Sequence, residues 1–199
     1  MDWTSLISFF LILIVWGTSL YAERIGGRSS SFAVRVARRG LFGSLFILAC
    51  ILAYMSREQF LAWQGNELSR YLVPPYRDWG YFIGYAYRHL WAPYVVSACA
   101  GAAIACAAAY ANRRRGGIFF EAEEPYFIAF AVFIIGHPGW VAYLLVVLAA
   151  YLFVSVGRLL MSRKAERVPF YRFWLPCAVL AFAVRAYLVR YGWYADLFM

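Results

Sequence analysis

Charge is scarce in this chain: 15% of its 199 residues are Asp, Glu, Lys or Arg, and lysine occurs once, at Lys164. Soluble domains carry about 25% charged and about 45–50% apolar residues, whereas here 64% are hydrophobic and mean hydropathy is +0.63. A water-soluble domain of this size could not hide that many apolar side chains in one core. That excludes a soluble enzyme, a nucleic-acid-binding domain and a disordered chain. Cysteine pairing is also missing. Cys50, Cys99, Cys106 and Cys177 stand inside apolar stretches with no CxxC spacing, so neither a disulfide framework nor a metal site is indicated. There is no Walker loop, HExxH helix or Ser-His-Asp set, and no cofactor is implied. The class that remains is an all-α, polytopic membrane helix bundle, a single integral membrane domain over 1–199.

A membrane crossing needs about 20 apolar residues at 1.5 Å rise each. Apolar runs of this kind lie at about 5–22, 41–55, 91–111 and 173–188. The first lacks a basic n-region and a small-residue cleavage site and reads as a transmembrane helix rather than a signal peptide. The stretch 125–156 would be about 48 Å long as one helix, beyond a ~30 Å hydrocarbon core. Gly136, His137, Pro138 and Gly139 stand in its middle, and the residue before a proline is pushed out of the α region. The pattern predicts two short helices, 125–136 and 140–156, joined as a hairpin. About six spans result.

The arginines orient the chain. Five lie in 23–40, three in 112–124, and three with Lys164 in 158–171, while the four in 57–90 are nearly offset by Glu58, Glu67 and Asp78. Lys and Arg concentrate in short cytoplasmic loops. The three basic clusters fall on one side only if 125–156 is a hairpin, which puts both termini outside. The localisation this implies is integral to a bacterial cytoplasmic membrane, with the lipid bilayer as first partner and no nucleic acid.

The outer loop 57–90 carries an amphipathic segment, 58–72, suited to the interface. Pro74-Pro75 should force an extended stretch, and Tyr76, Trp79, Tyr81, Tyr85 and Tyr87 should form an aromatic belt. In the third span Ser97, Gly101, Ala105 and Ala109 make a small-xxx-small ladder that lets helix backbones approach closely, either inside the bundle or at a dimer seam. Arg185 and Arg190 near the outer end of the last span can snorkel to the headgroups, with Asp78 or Asp196 as partners for Arg185. Arg172 at the inner boundary can reach the acids described next. His89 and His137 share the outer side, which keeps bis-histidine haem ligation geometrically open, although two interfacial histidines are commonplace.

The acids cluster at Glu121, Glu123 and Glu124, immediately before Pro125. Acids meet the positive end of a helix dipole, and proline at the first helical position loses no needed hydrogen bond; the cluster reads as a helix start with negative partners for Arg113–Arg115. The same residues also offer paired carboxylates at a membrane boundary, with Glu23 ending the first span on the same side. Two carboxylates in a partly dry site would split their pKa values around one shared proton.

In layout the chain resembles the type IV prepilin peptidases, intramembrane aspartyl proteases. The resemblance rests on Glu23 after the first span, Glu121-Ala122-Glu123-Glu124-Pro125 opening the fourth, the hairpin from Gly136 to Trp140, and Val168-Pro169-Phe170 before the last span. It implies catalytic roles for Glu23, Glu123 and Glu124 and pilin-type leader segments as partners. The GxGD motif and the zinc-binding cysteine pairs are absent, and both candidate acids are Glu. An added methylene displaces each carboxylate, and a ~1 Å misplacement can cost ~10²-fold in rate, which implies an altered or inactive peptidase. Three functions are therefore expected in turn: a non-catalytic subunit or scaffold of a membrane complex that packs with other membrane subunits, a prepilin-peptidase-like intramembrane protease or its inactive relative, and a transporter or lipid-handling protein.

Overall fold

The computed structural model describes residues 3–26, 31–117, 120–161 and 171–188, and at some helix-end positions, Glu23, Arg172 and Arg185 among them, it describes the backbone alone. The loop residues Arg163, Lys164 and Arg167, the Val168-Pro169-Phe170 motif, Arg190 and Asp196 lie outside the described residues. Among the described residues every regular element is helical. In chain order these are α1 (Trp3–Gly26), α2 (Ser31–Gly65), a 3₁₀ turn (Ser69–Leu72), α3 (Trp79–Ala86), a π turn (Tyr87–Trp91), α4 (Ala92–Arg114), α5 (Glu124–Ile135), α6 (Gly139–Met161) and α7 (Tyr171–Leu188).

Among the described residues, four stretches are long and apolar enough to cross a membrane: Thr4–Ala22, Ser31–Gly65, Trp79–Arg114 and Gly139–Arg158. The apolar helices Glu124–Ile135 and Phe173–Val184 are shorter. Among the described residues, length and composition thus support four membrane-length helices.

Two helices overrun the apolar runs that mark them in the sequence. The run 41–55 is only the middle of the 35-residue α2. Its first turns hold Arg35, Arg38 and Arg39 on the exposed face, while Ala37 is buried and Gly40 lies against the Val15 side chain of α1. Arginine is a good helix former, so cations that mark a loop by composition here continue a helix packed on α1. At its other end α2 absorbs the first nine residues of 57–90 and stops at Gly65. The Asn66 side chain then accepts the Leu68 and Ser69 N–H groups at 2.9 and 3.2 Å, opening the 3₁₀ turn.

The rest of that loop is helical too. Trp79–Arg114 is continuous through the π turn, so the helix that carries the third span begins a dozen residues before 91. Pro74-Pro75 is a turn rather than an extended stretch. Only Val73 before it is extended, and its carbonyl accepts the Tyr76 and Arg77 N–H groups at 3.1 and 3.3 Å. The turn lets the chain double back, and a small cluster forms at the α2–α3 corner around buried Val73, Phe82 and Ala86, with Phe60 and Trp63 against it, while Tyr76, Trp79, Tyr81 and Tyr87 stay exposed. Phe60 stacks on Trp79 at 4.9 Å and meets Phe82 edge-on at 5.2 Å, and Trp63 lies 4.6 Å from Tyr85.

The main core is built around α5. This helix is apolar on every side, which suits a helix enclosed by others, and Phe127 through Ile135 are all buried. It packs against α1, α2, α4, α6 and α7. Its closest approach is to α4. A Cβ at Gly101 would stand 2.9 Å from the Ala129 carbonyl oxygen and 3.3 Å from its Cα, so only glycine admits this spacing. Ser97 and Ala108 are buried on the same helix, and Ala105 and Ala109 are half-buried. At the end of α5, Gly136 takes φ 77°, open to glycine at no steric cost. His137 and Pro138 complete the turn into α6, and the His137 N–H donates to the Pro93 carbonyl at 3.2 Å, tying the hairpin to the start of α4.

Candidate functional site

The site begins where α4 ends. After Arg113, Arg114 and Arg115, Gly116 and Gly117 take φ of 70° and 78° and turn the chain. The side chain of Asn112 closes this loop, donating from Nδ2 to the Phe120 carbonyl at 2.7 Å and accepting the Phe120 N–H on Oδ1 at 3.0 Å. Both backbone groups of one residue are thereby satisfied by one amide, which fixes where Glu121 to Glu124 enter the bundle. The Glu124 N–H donates to Glu121 O at 3.2 Å, and the Tyr126 and Phe127 N–H groups donate to Glu123 O, starting α5.

Glu123 and Glu124 are both buried, the latter 1% exposed. Glu124 stands at the loop end of α5, ahead of the apolar run, and receives the indole N–H of Trp174 on Oε2 at 3.3 Å. Burial pushes its carboxyl from 4.5 up to about 7. The Trp174 hydrogen bond and a backbone bond from Glu121 pull the other way, and the neighbouring acids Glu121 and Glu123 add a smaller upward push. Desolvation wins because so little water reaches the carboxyl to stabilise its charge. The Trp174 carbonyl in turn accepts the buried Tyr143 hydroxyl at 2.9 Å. This bond sits two residues before Pro176 inside α7, in the turn where proline removes one backbone donor. Three helices, α5, α6 and α7, are thus joined by one chain of polar contacts.

Glu23 lies in the last turns of α1, which packs against α5; its backbone alone is described, so no distance joins it to Glu123 or Glu124. The side chains of Arg172 and Arg185, on α7, lie outside the described residues. At the far end of α5, the His137 Nδ1 accepts the Trp140 indole N–H at 3.3 Å, and the His89 ring lies 4.4 Å from that of Tyr85. Among the described residues no group of three or more His, Cys, Asp or Glu could hold a metal ion.

Sequence reasoning missed Trp174, Tyr143 and Asn112. A signal exists for each: an indole or phenol inside an apolar run needs a polar partner when buried, and an amide at the end of a small-residue helix invites a cap. Chemically the site offers a carboxyl able to exchange a proton near neutral pH and a clasp that holds α7 to α5. It offers no carboxylate open to a substrate at Glu124. No protein-family model, no curated protein and no solved structure matches the chain.

Proposed function

We propose that this chain is a non-catalytic multi-pass subunit of a membrane complex, crossing a bacterial cytoplasmic membrane six times with both termini outside. The observation that carries the non-catalytic reading is Glu124. At 1% exposure, with Oε2 accepting from Trp174, it is engaged in holding helices together, whereas a catalytic acid must reach its substrate within hydrogen-bonding distance.

The crossing count is supported by two ties at opposite ends of α4. His137 is bonded to Pro93 and Phe120 to Asn112, so the segment 120–137 travels beside the 93–112 stretch. That is about 28 Å by helical rise, close to a ~30 Å hydrocarbon core. α5 is shorter than the full path, which the loop residues ahead of it complete at the inner boundary, and its apolar surface is covered by five neighbouring helices. A tag placed after Met199 should be removed by protease added outside intact cells; protection of the tag overturns the six-crossing reading.

One observation favours the prepilin-peptidase-like reading: Glu123 and Glu124 open a short helix at the inner mouth, where that family places an acid. The peptidase reading requires cleavage of a pilin-type leader peptide by purified wild type and its loss in Glu123→Gln and Glu124→Gln at unchanged abundance. The subunit reading expects no cleavage by any of the three, and cleavage by the wild type sinks it.

A further inference from the structure

The end of the bundle that carries the 136–139 hairpin also carries a groove the readings above leave unused. It has a volume of about 370 Å³ and is lined by Gly80, Tyr81, Gly84, Tyr85, Arg88 and His89, within the range of small-ligand sites. Its shape follows from helical spacing. Gly80, Gly84 and Arg88 form one i, i+4 row and Tyr81, Tyr85 and His89 the next, and neighbouring rows lie side by side on a helix surface. The glycine row is a trough: a Cβ at Gly80 or Gly84 would meet nothing within 4 Å. The tyrosine row is its wall, braced from behind by Trp63, 4.6 Å from Tyr85.

Both rows end in a donor-bearing, basic side chain. Arg88 and His89 are exposed, and among the described residues neither is paired with a carboxylate. Arg77 adds a third basic group, its guanidinium 4.3 Å from the Tyr81 ring centre. The ligand that fits is therefore anionic. Arg88 and His89 lie in the π turn Tyr87–Trp91, a distortion found often at functional sites. The apolar residues of α4 begin just beyond it, so in a bilayer these two side chains stand at headgroup depth.

We propose that this groove binds the headgroup of an anionic phospholipid, with the phosphate on Arg88 and His89 and the hydroxylated part of the headgroup laid along the Gly80–Gly84 trough against Tyr81 and Tyr85. A planar guanidinium matches two phosphate oxygens, and the imidazole supplies a further N–H. The site rests on the membrane reading proposed above, and the test separates the two.

Protein purified in neutral detergent is titrated with phosphatidylglycerol and, separately, with phosphatidylcholine, reading bound lipid by native mass spectrometry. The wild type should hold phosphatidylglycerol about tenfold more tightly, the scale of one charge-assisted hydrogen bond. The double variant Arg88→Gln/His89→Gln should lose that preference. Gly84→Leu, which fills the trough at an open position, should lose it too, while Arg113→Gln at the opposite end keeps it. Equal binding of the two lipids by wild type, an unchanged double variant, or an equal loss in Arg113→Gln each overturns the site. Displacement of the lipid by inorganic phosphate as readily as by soluble glycerophosphoglycerol makes this a free-phosphate site and overturns the lipid assignment. An alkaline carbonate wash of membranes reports on the other premise. Release of the wild type overturns the membrane reading, whereas retention without lipid preference overturns this site alone.

Discussion

The indole N–H of Trp174 and the Oε2 of Glu124 lie 3.3 Å apart across 50 residues of sequence. The bond fastens the start of α7 to the start of α5, and through the Trp174 carbonyl it reaches Tyr143 on α6. Buried polar networks of this kind are costly when broken, because the remaining partner keeps its desolvation cost and loses its compensation.

The carboxyl of Glu124 makes stability depend on pH. Its folded-state pKa of about 7 lies above the ordinary 4.5, so the fold favours the protonated form. The contribution is complete below about pH 4.5 and is lost as pH rises through 7. Between about pH 5 and pH 8 the wild type should lose on the order of 3 kcal/mol, read as a lower melting temperature in detergent at the higher pH. Glu124→Gln keeps an acceptor for Trp174 and should melt alike at both, above the wild type at pH 8. A wild type with no pH response contradicts this.

Trp174→Phe removes the donor and leaves the carboxyl buried. A loss of about 1–3 kcal/mol is expected. In combination with Glu124→Ala, which removes the acceptor, the losses should not add, since the two residues share one bond. Additive losses in a double-mutant cycle would show that the bond contributes nothing of its own.

Gly101→Leu should be among the most damaging single changes outside the polar chain. Even a Cβ meets backbone at Ala129, which cannot swing aside, and overpacking of this kind costs about 1–3 kcal/mol or more. Gly43→Leu on α2, where an added Cβ meets nothing within 4 Å, is the control. It should leave the melting temperature unchanged or raise it.

Asn112→Ala deletes both bonds to Phe120 at once. The Arg113–Arg115 loop then loses its closure, and trypsin should cut there several-fold faster in solubilised protein. Cutting at the wild-type rate would mean that the loop is held by other groups.

Composition and hydropathy made the helical class and the membrane-length helices legible, and the Gly136–Gly139 turn could be placed from its residue types alone. The ends of α2 and of the α3–α4 helix could not. Arg35, Arg38, Arg39 and the aromatics of 79–87 are polar or amphipathic enough to read as loop, yet they extend helices because Ala37, Gly40, Phe82 and Ala86 find partners. Glu123 and Glu124 were visible as acids, but Trp174 was hidden in an apolar run.

By itself the sequence determined what the chain must avoid, which is water along most of its length, because the transfer of apolar side chains adds up locally, residue by residue. Only the tertiary structure decided that α5 lies inside the protein while equally apolar faces of α1, α2 and α6 lie open. A leucine or phenylalanine reads the same whether lipid or a neighbouring helix will cover it. What separates the two is close contact such as Gly101 on Ala129, and that depends on residues far apart in the chain.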